Sequence, residues 1–305
     1  MLFLTNLTQE KRLNKIVFMF PILSGIMFGA AGVFVRTLTG FGFNNGTIIF
    51  ARVFFAMIIM FLLILFQDKK LLKINIKDLP IFIGTGIIGM LGVNLFYNEA
   101  IDNLTLAVSA VLLSTAPVIV VLLAAIIFKE KITLRKIVCM TLAIGGCVLA
   151  TGMLEESVIV SFYGLVVGIG SALFYALYSI FSRMASNKHY DTYTIIFYSV
   201  VLITIVMLPF ANIGTIIDFA TVSPVKNVFF LFFHSTCATV LPYVFLTLGV
   251  KHMEAGTASI LASGTEPVAA VFFGMLFYME VPIVLMIVGL IVTIVALAFL
   301  CKLDK

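Results

Sequence analysis

Tryptophan is absent from the chain, histidine occurs three times, and Asp, Glu, Lys and Arg together make up only 11% of 305 residues. Soluble domains carry about 25% charged residues, so this scarcity excludes one. The working parts of several enzyme classes are missing too. There is no GxxxxGK(S/T) phosphate loop and no HExxH pair, which excludes direct ATP drive by this chain and zinc-peptidase chemistry. His189, His234 and His252 are dispersed, with no nucleophile and base at workable spacing, so no enzymatic activity is expected. Cys139, Cys147, Cys237 and Cys301 lack CxxC or His-rich spacing; neither a disulfide framework, a metal site nor a cofactor follows. Without tryptophan, any aromatic belt at the membrane interface falls to the nine tyrosines and some of the 30 phenylalanines.

What is abundant is apolar: 62% of residues, with a mean hydropathy of +1.22. A spanning helix needs about 20 apolar residues. Ten such runs are present, near 16–35, 47–66, 80–100, 105–127, 135–153, 161–182, 194–212, 227–249, 256–279 and 282–300. A membrane β-barrel would show alternating runs half as long. The pattern therefore predicts an all-α integral membrane protein in the lipid bilayer. The opening MLFLTNLTQEKRLNK lacks the order of a removable signal peptide, so the first run is expected to remain.

The net charge of +5 could suit nucleic acid, but in a membrane chain the placement of Lys and Arg matters more. With the N-terminus cytoplasmic, sixteen of the nineteen fall on the inner side, from Lys11 through Lys305. Only Arg36 and Lys226 fall outside, and Arg52 lies within the second run. This asymmetry predicts both termini in the cytoplasm, and no nucleic-acid partner is expected. The setting is a multi-pass cell membrane, and the wealth of Ile, Phe, Lys and Asn suggests an AT-rich bacterial source.

The chain also repeats itself. Arg36 and Thr47-Ile48-Ile49-Phe50 match Arg183 and Thr194-Ile195-Ile196-Phe197 at an offset of 147. Ser109, Thr115, Pro117 and Glu130 match Ser259, Thr265, Pro267 and Glu280 at an offset of 150. Residues 1–155 and 156–305 thus read as two copies of five helices. Five is odd, so the copies cross the membrane in opposite senses, the inverted arrangement common among secondary transporters.

Two five-helix repeats, a proline inside the fourth and ninth runs, Glu130 in FKEKITLRK and the Glu266-Pro267 pair together resemble the EamA-type branch of the drug/metabolite transporter superfamily. The second repeat departs in YMEVPIV, where no basic residues follow Glu280; an outward location of that end accounts for this. The resemblance implies a secondary transporter, more often an exporter, of a small organic metabolite, amino acid or drug-like compound by alternating access. Coupling to a proton is the expected drive. A channel or a non-transporting membrane scaffold is the alternative, separable by saturable exchange in liposomes against single-channel conductance.

Glu266 is the first candidate for the site. It lies about ten residues into its run, near the bilayer centre at 1.5 Å per residue. A lipid-facing charge there costs at least about 2.5 kcal/mol, so the residue should face the interior, as coupling group or as a tie between helices. Pro117 and Pro267 each remove an amide donor and should kink their helices, freeing the carbonyls of Leu113 and Ser263. Arg52 and Glu99 have matching depths and are expected to pair, with Asn94, Tyr97 and Asn98 nearby; separate snorkelling to the interface is the other reading. Tyr175 and Tyr178 share a helix face and suit either a binding wall or packing. His234 and Tyr243 flank Pro242, and the histidine is a candidate for proton handling. Gly25, Gly29, Gly86, Gly89, Gly92, Gly164 and Gly168 permit close helix contact. The charged stretch from Lys129 to Lys136 reads as an inner-surface anchor.

Overall fold

The computed structural model describes residues 2–104, 106–150, 161–279 and 284–301, and the elements among them are helices. Glu280, one half of the Glu130/Glu280 match, lies outside the described residues, as do Lys302 and Lys305. Eight helices are long and apolar enough to cross a membrane. They are α1 (Leu2–Gly40), α2 (Asn45–Gln67), α3 (Ile76–Asn103), α4 (Leu106–Leu113 continued by Ala116–Phe128), α6 (Phe162–Asn187), α7 (Thr192–Phe210), α8 (Pro224–His252) and α9 (Ala255–Tyr278). Helices α5 (Leu134–Ala150) and α10 (Val284–Leu300) have 17 residues each, short of the about 20 that a bilayer core asks for. A further short helix, Ile213–Val222, sits between α7 and α8, started by Asn212, whose side chain accepts from the Thr215 N–H. The apolar pattern gave no sign of it, because the stretch is too short to show a period. Large apolar side chains such as Ile126, Phe229, Ile291 and Phe299 are exposed around the outside, the reverse of a soluble surface and suited to lipid.

The packing partners follow the repeat. Helix α1 lies along α9, and its counterpart α6 lies along α4; α8 packs on α1 as α3 packs on α6. Helix α2 meets α7, α5 meets α10 and α4 meets α9. This exchange, in which counterparts swap partners, is what a pseudo-two-fold axis between the two repeats produces.

Small residues set the closest approaches. A Cβ added to Gly25 would stand 1.9 Å from Thr265 Oγ1, and one added to Gly29 2.5 Å from the Glu266 carbonyl oxygen. Helix α1 therefore touches the backbone of α9 at the Thr265-Glu266 step. In the second repeat the 147-residue offset puts Ala172 and Ala176, both fully buried, at the matching places. Gly164 and Gly168 press α6 onto Leu104 and Leu112 beside α4. Gly89 meets the Tyr178 backbone, with an added Cβ at 2.6 Å, and Gly86 the backbone of Ser199 at 2.9 Å, so α3 nests between α6 and α7.

The two prolines behave differently. In α4 the helix breaks at Ser114-Thr115, and their hydroxyls donate back to the carbonyls of Val111 (2.7 Å) and Leu112 (2.6 Å). In α9 the helix runs on through Pro267. Thr265 Oγ1 there reaches the carbonyls of Leu261 (2.8 Å) and Ala262 (3.0 Å), and that of Ile22 on α1 (3.4 Å). The expected kink is thus a full break in α4 and an uninterrupted helix in α9, which α1 braces through its glycines. Helices α3 and α8 each contain π-helical turns, over Gly84–Leu91 and Thr236–Val240. Those segments coincide at the 150-residue offset, and in α8 the widened turns lead into Pro242, relieving the clash its ring would make.

Candidate functional site

Glu266 projects from α9 among side chains of four other helices. Tyr97 of α3, Cys147 of α5, Tyr175 of α6 and Tyr243 of α8 all lie within electrostatic reach of its carboxyl. It therefore faces the bundle interior and not lipid. Yet Glu266 and Tyr97 are only half-buried. A residue surrounded by other helices that keeps accessible surface lines an internal space. Just beyond it, a small recess is lined by Ser114 and Pro117 of α4, Ser263 and Gly264 of α9, and Met140, Ala143 and Ile144 of α5. Ser114 and Gly264 occupy equivalent positions, so both repeats contribute there.

The tyrosines form one aromatic cluster. The Tyr243 ring is met edge-on by Tyr178 at 4.9 Å and by Phe28 at 5.0 Å between centroids. Tyr178 and Thr247 share a hydrogen bond between their hydroxyls at 2.8 Å, while the buried Tyr175 hydroxyl has only the Ser263 side chain beside it, in poor hydrogen-bond geometry.

Arg52 does not pair with Glu99. Its guanidinium Nη2 donates to Asn94 Oδ1, whose amide in turn donates to the Met90 carbonyl at 2.6 Å. Glu99 is exposed and accepts from Asn103 Nδ2 (3.2 Å) and Tyr163 Oη (3.3 Å). Depth alone misled here: five residues after Asn94 turns the helix by about 140° beyond a full turn, so Glu99 points elsewhere. Arg52 is 8% exposed and has no acidic partner among the described residues; its Nε is buried without a hydrogen-bond partner. His234, fully buried, stacks on Phe34 at 5.3 Å, lies within reach of the Arg52 charge, and has no partner at either ring nitrogen.

The structure thus gathers Glu266, Tyr97, Tyr175, Tyr178 and Tyr243 into one interior cluster and joins Arg52, Asn94 and His234 to it through Tyr243, which feels both Arg52 and Glu266. Glu99 stands apart. Sequence reasoning missed Thr247, Ser263, Ser114 and Cys147. Thr247 had a signal, since it occupies the place of Tyr97 in the other repeat; the others are small residues indistinguishable from packing.

One end of the bundle is tied by charge. Glu130, just past α4, accepts from the N–H groups of Ala255 (2.9 Å) and Gly256 (3.4 Å) at the start of α9, where the helix dipole favours an anion. Lys136 Nζ lies 2.6 Å from Glu254 and 3.8 Å from Glu130. Arg135 donates to the Phe299 carbonyl at 2.8 Å. The charged stretch is therefore a clasp between helices of both repeats as well as a surface feature. Nearby, Lys188 pairs with Asp78, and Tyr190 donates to the same carboxylate at 2.7 Å. Burial, and after it that carboxylate, hold the Tyr190 phenol above its ordinary range.

Comparison with known proteins agrees with this arrangement. Residues 15–152 and 162–301 each match the model of the EamA-like transporter family. An uncharacterized transporter of Archaeoglobus fulgidus is 26% identical over 275 residues, covering 88% of this chain and 90% of the relative. The Pseudopaline exporter CntI of Pseudomonas aeruginosa is 29% identical over 234 residues, 75% of this chain and 77% of its own. A protein of known crystal structure superposes with a TM-score of 0.73 over 94% of this chain and 96% of the other, at 15% identity, which speaks for the fold.

Proposed function

The chain belongs to the EamA-like transporter family, and we propose that this multi-pass membrane transporter is a secondary exporter of a small organic metabolite, amino acid or drug-like compound. It works by alternating access between two inverted five-helix repeats, residues 1–155 and 156–305, in a bacterial cell membrane. Ten helices cross the bilayer, α5 and α10 among them, and both termini are cytoplasmic. The excess of Lys and Arg on one side supports this orientation. The exporter named among its relatives supports the direction.

The observation that carries the reading is Glu266, half-buried and ringed by Tyr97, Tyr175 and Tyr243. A carboxyl in such a place alternates between a protonated form and one that holds a substrate amine or hydroxyl, so that proton and substrate exchange across the membrane. The tyrosines offer apolar faces and hydroxyl tips to an amphipathic guest.

A thermal-shift screen of metabolites on detergent-purified protein identifies ligands, and counterflow in proteoliposomes then tests transport. Wild-type protein should accelerate uptake of a ligand when an imposed pH gradient favours proton exchange, and Glu266→Gln should lose that acceleration. Equal acceleration in both removes Glu266 from coupling. Ion conductance without saturable counterflow favours a channel.

A further inference from the structure

We propose that Arg52, Asn94 and His234 form an oxyanion subsite that takes a carboxylate of the transported molecule, separate from the Glu266 carboxyl. This rests on the transporter reading above and adds to it the charge that the substrate must carry. The fold leaves the Arg52 cation without an anion among the described residues. Arg52 is 8% exposed, has no Asp or Glu beside it among the described residues, and keeps its Nε unpartnered while Nη2 is held by Asn94. Lys136, the other buried cation among the described residues, has Glu254 and Glu130 beside it.

The surroundings are built for a planar oxyanion. Asn94 fixes one edge of the guanidinium and is itself anchored to the Met90 carbonyl, so the free edge has a set direction. A guanidinium held in this way presents paired N–H groups in the geometry that a carboxylate accepts. His234 is fully buried with both ring nitrogens unpartnered, and one of them can donate to the same guest. It lies nine residues before Tyr243 on α8, and Arg52 is within electrostatic reach of both. No equivalent exists in the second repeat: at the 147-residue offset Arg52 becomes Ser199, which bonds Thr85 at 2.8 Å. A lipid phosphate is the other source of an oxyanion, but the depth of Arg52, about 10 Å along α2 from Asn45, and its burial favour a small molecule.

The test uses the full chain in detergent with a matched set of probes: hexanoate, hexylamine and 6-aminohexanoate, with phosphatidylglycerol micelles as the lipid arm. Thermal unfolding is read alongside tyrosine fluorescence, which no tryptophan obscures. Hexanoate and 6-aminohexanoate should stabilise the wild type, and Arg52→Gln should raise their half-saturating concentrations by about tenfold or more, with partial recovery in Arg52→Lys. Hexylamine should respond alike in all three. Without ligand, Arg52→Gln should melt no earlier than wild type, because a lone buried charge has gone; a purely structural arginine would lower the melting temperature instead. If Arg52→Gln does not fold, Asn94→Ser, which frees the guanidinium, should weaken the acids alone. The proposal is overturned if no acid stabilises the wild type, if acid responses survive Arg52→Gln, or if only phosphatidylglycerol is affected by it. A wild type that exchanges amines in liposomes while ignoring acids overturns this subsite and leaves the transporter reading standing.

Discussion

Lys129 and Met279, 150 residues apart, close α4 and α9 in the same left-handed conformation, with φ of 57° and 54°, and each donates its N–H to a carbonyl five residues back, Ala124 and Gly274. Pro117 and Pro267, Ser24 and Ser171, and the π-helical turns of α3 and α8 correspond in the same way. The polar cluster does not. Glu266 stands opposite Ala116, Arg52 opposite Ser199, Tyr175 opposite Phe28, Tyr178 opposite Ala31 and Tyr243 opposite Val93. What the repeats share is backbone geometry and small-residue contact, the features on which the proposed rocking of one half against the other would rest. What they do not share is the interior charge of Arg52 and Glu266 and the tyrosines around them, the groups proposed above to recognise a guest.

Substitutions that push on one side of this contrast should leave the other intact. The largest effect is expected from Gly25→Leu, whose added atoms collide with Thr265 where α1 crosses α9; overpacking costs about 1–3 kcal/mol or more. Little folded protein should elute by size exclusion, whereas Gly32→Leu, with open space around it, should behave as wild type. Next comes Tyr175→Phe, which gives the second repeat the residue of the first. Removing a buried hydroxyl whose neighbour, Ser263, meets it only in poor geometry should hold or raise the melting temperature while counterflow falls about tenfold, the usual opposition of stability and function at a site. Glu130→Ala should cost about 1 kcal/mol by uncapping α9, read in thermal unfolding, with ligand affinity unchanged. The smallest effect belongs to Glu99→Gln: an exposed carboxylate bonded to Asn103 and Tyr163 should change stability by less than about 0.5 kcal/mol and leave counterflow alone.

Much of the scaffold was legible in the sequence because its signals are periodic or doubled. Apolar runs marked the helices, and the matched prolines marked the α4/α9 pair. Glu266 stood out as a charge deep in an apolar run. The π-helical turns were not legible, since widening by one residue per turn leaves no compositional trace. Nor was the break in α4 against the continuous α9, because both carry Thr-x-Pro. Arg52 was found but matched to the wrong residue, since depth along a helix says nothing of the face a side chain takes. Glu130 read as a surface charge because its partners, the first N–H groups of α9, lie 125 residues away.

The central claim is that the one-sided polar cluster, and not the two-fold scaffold, handles the substrate. Moving the carboxylate between repeats tests it most directly, with counterflow of an identified ligand measured in Glu266→Ala and in Glu266→Ala combined with Ala116→Glu. Tyr97, Tyr175 and Tyr243 do not move with the charge, so both variants should stay inactive, with size exclusion and thermal unfolding confirming that each is folded, since Ala116 is fully buried. Restored exchange in the double variant would contradict the account, because it would mean that either repeat can host the site.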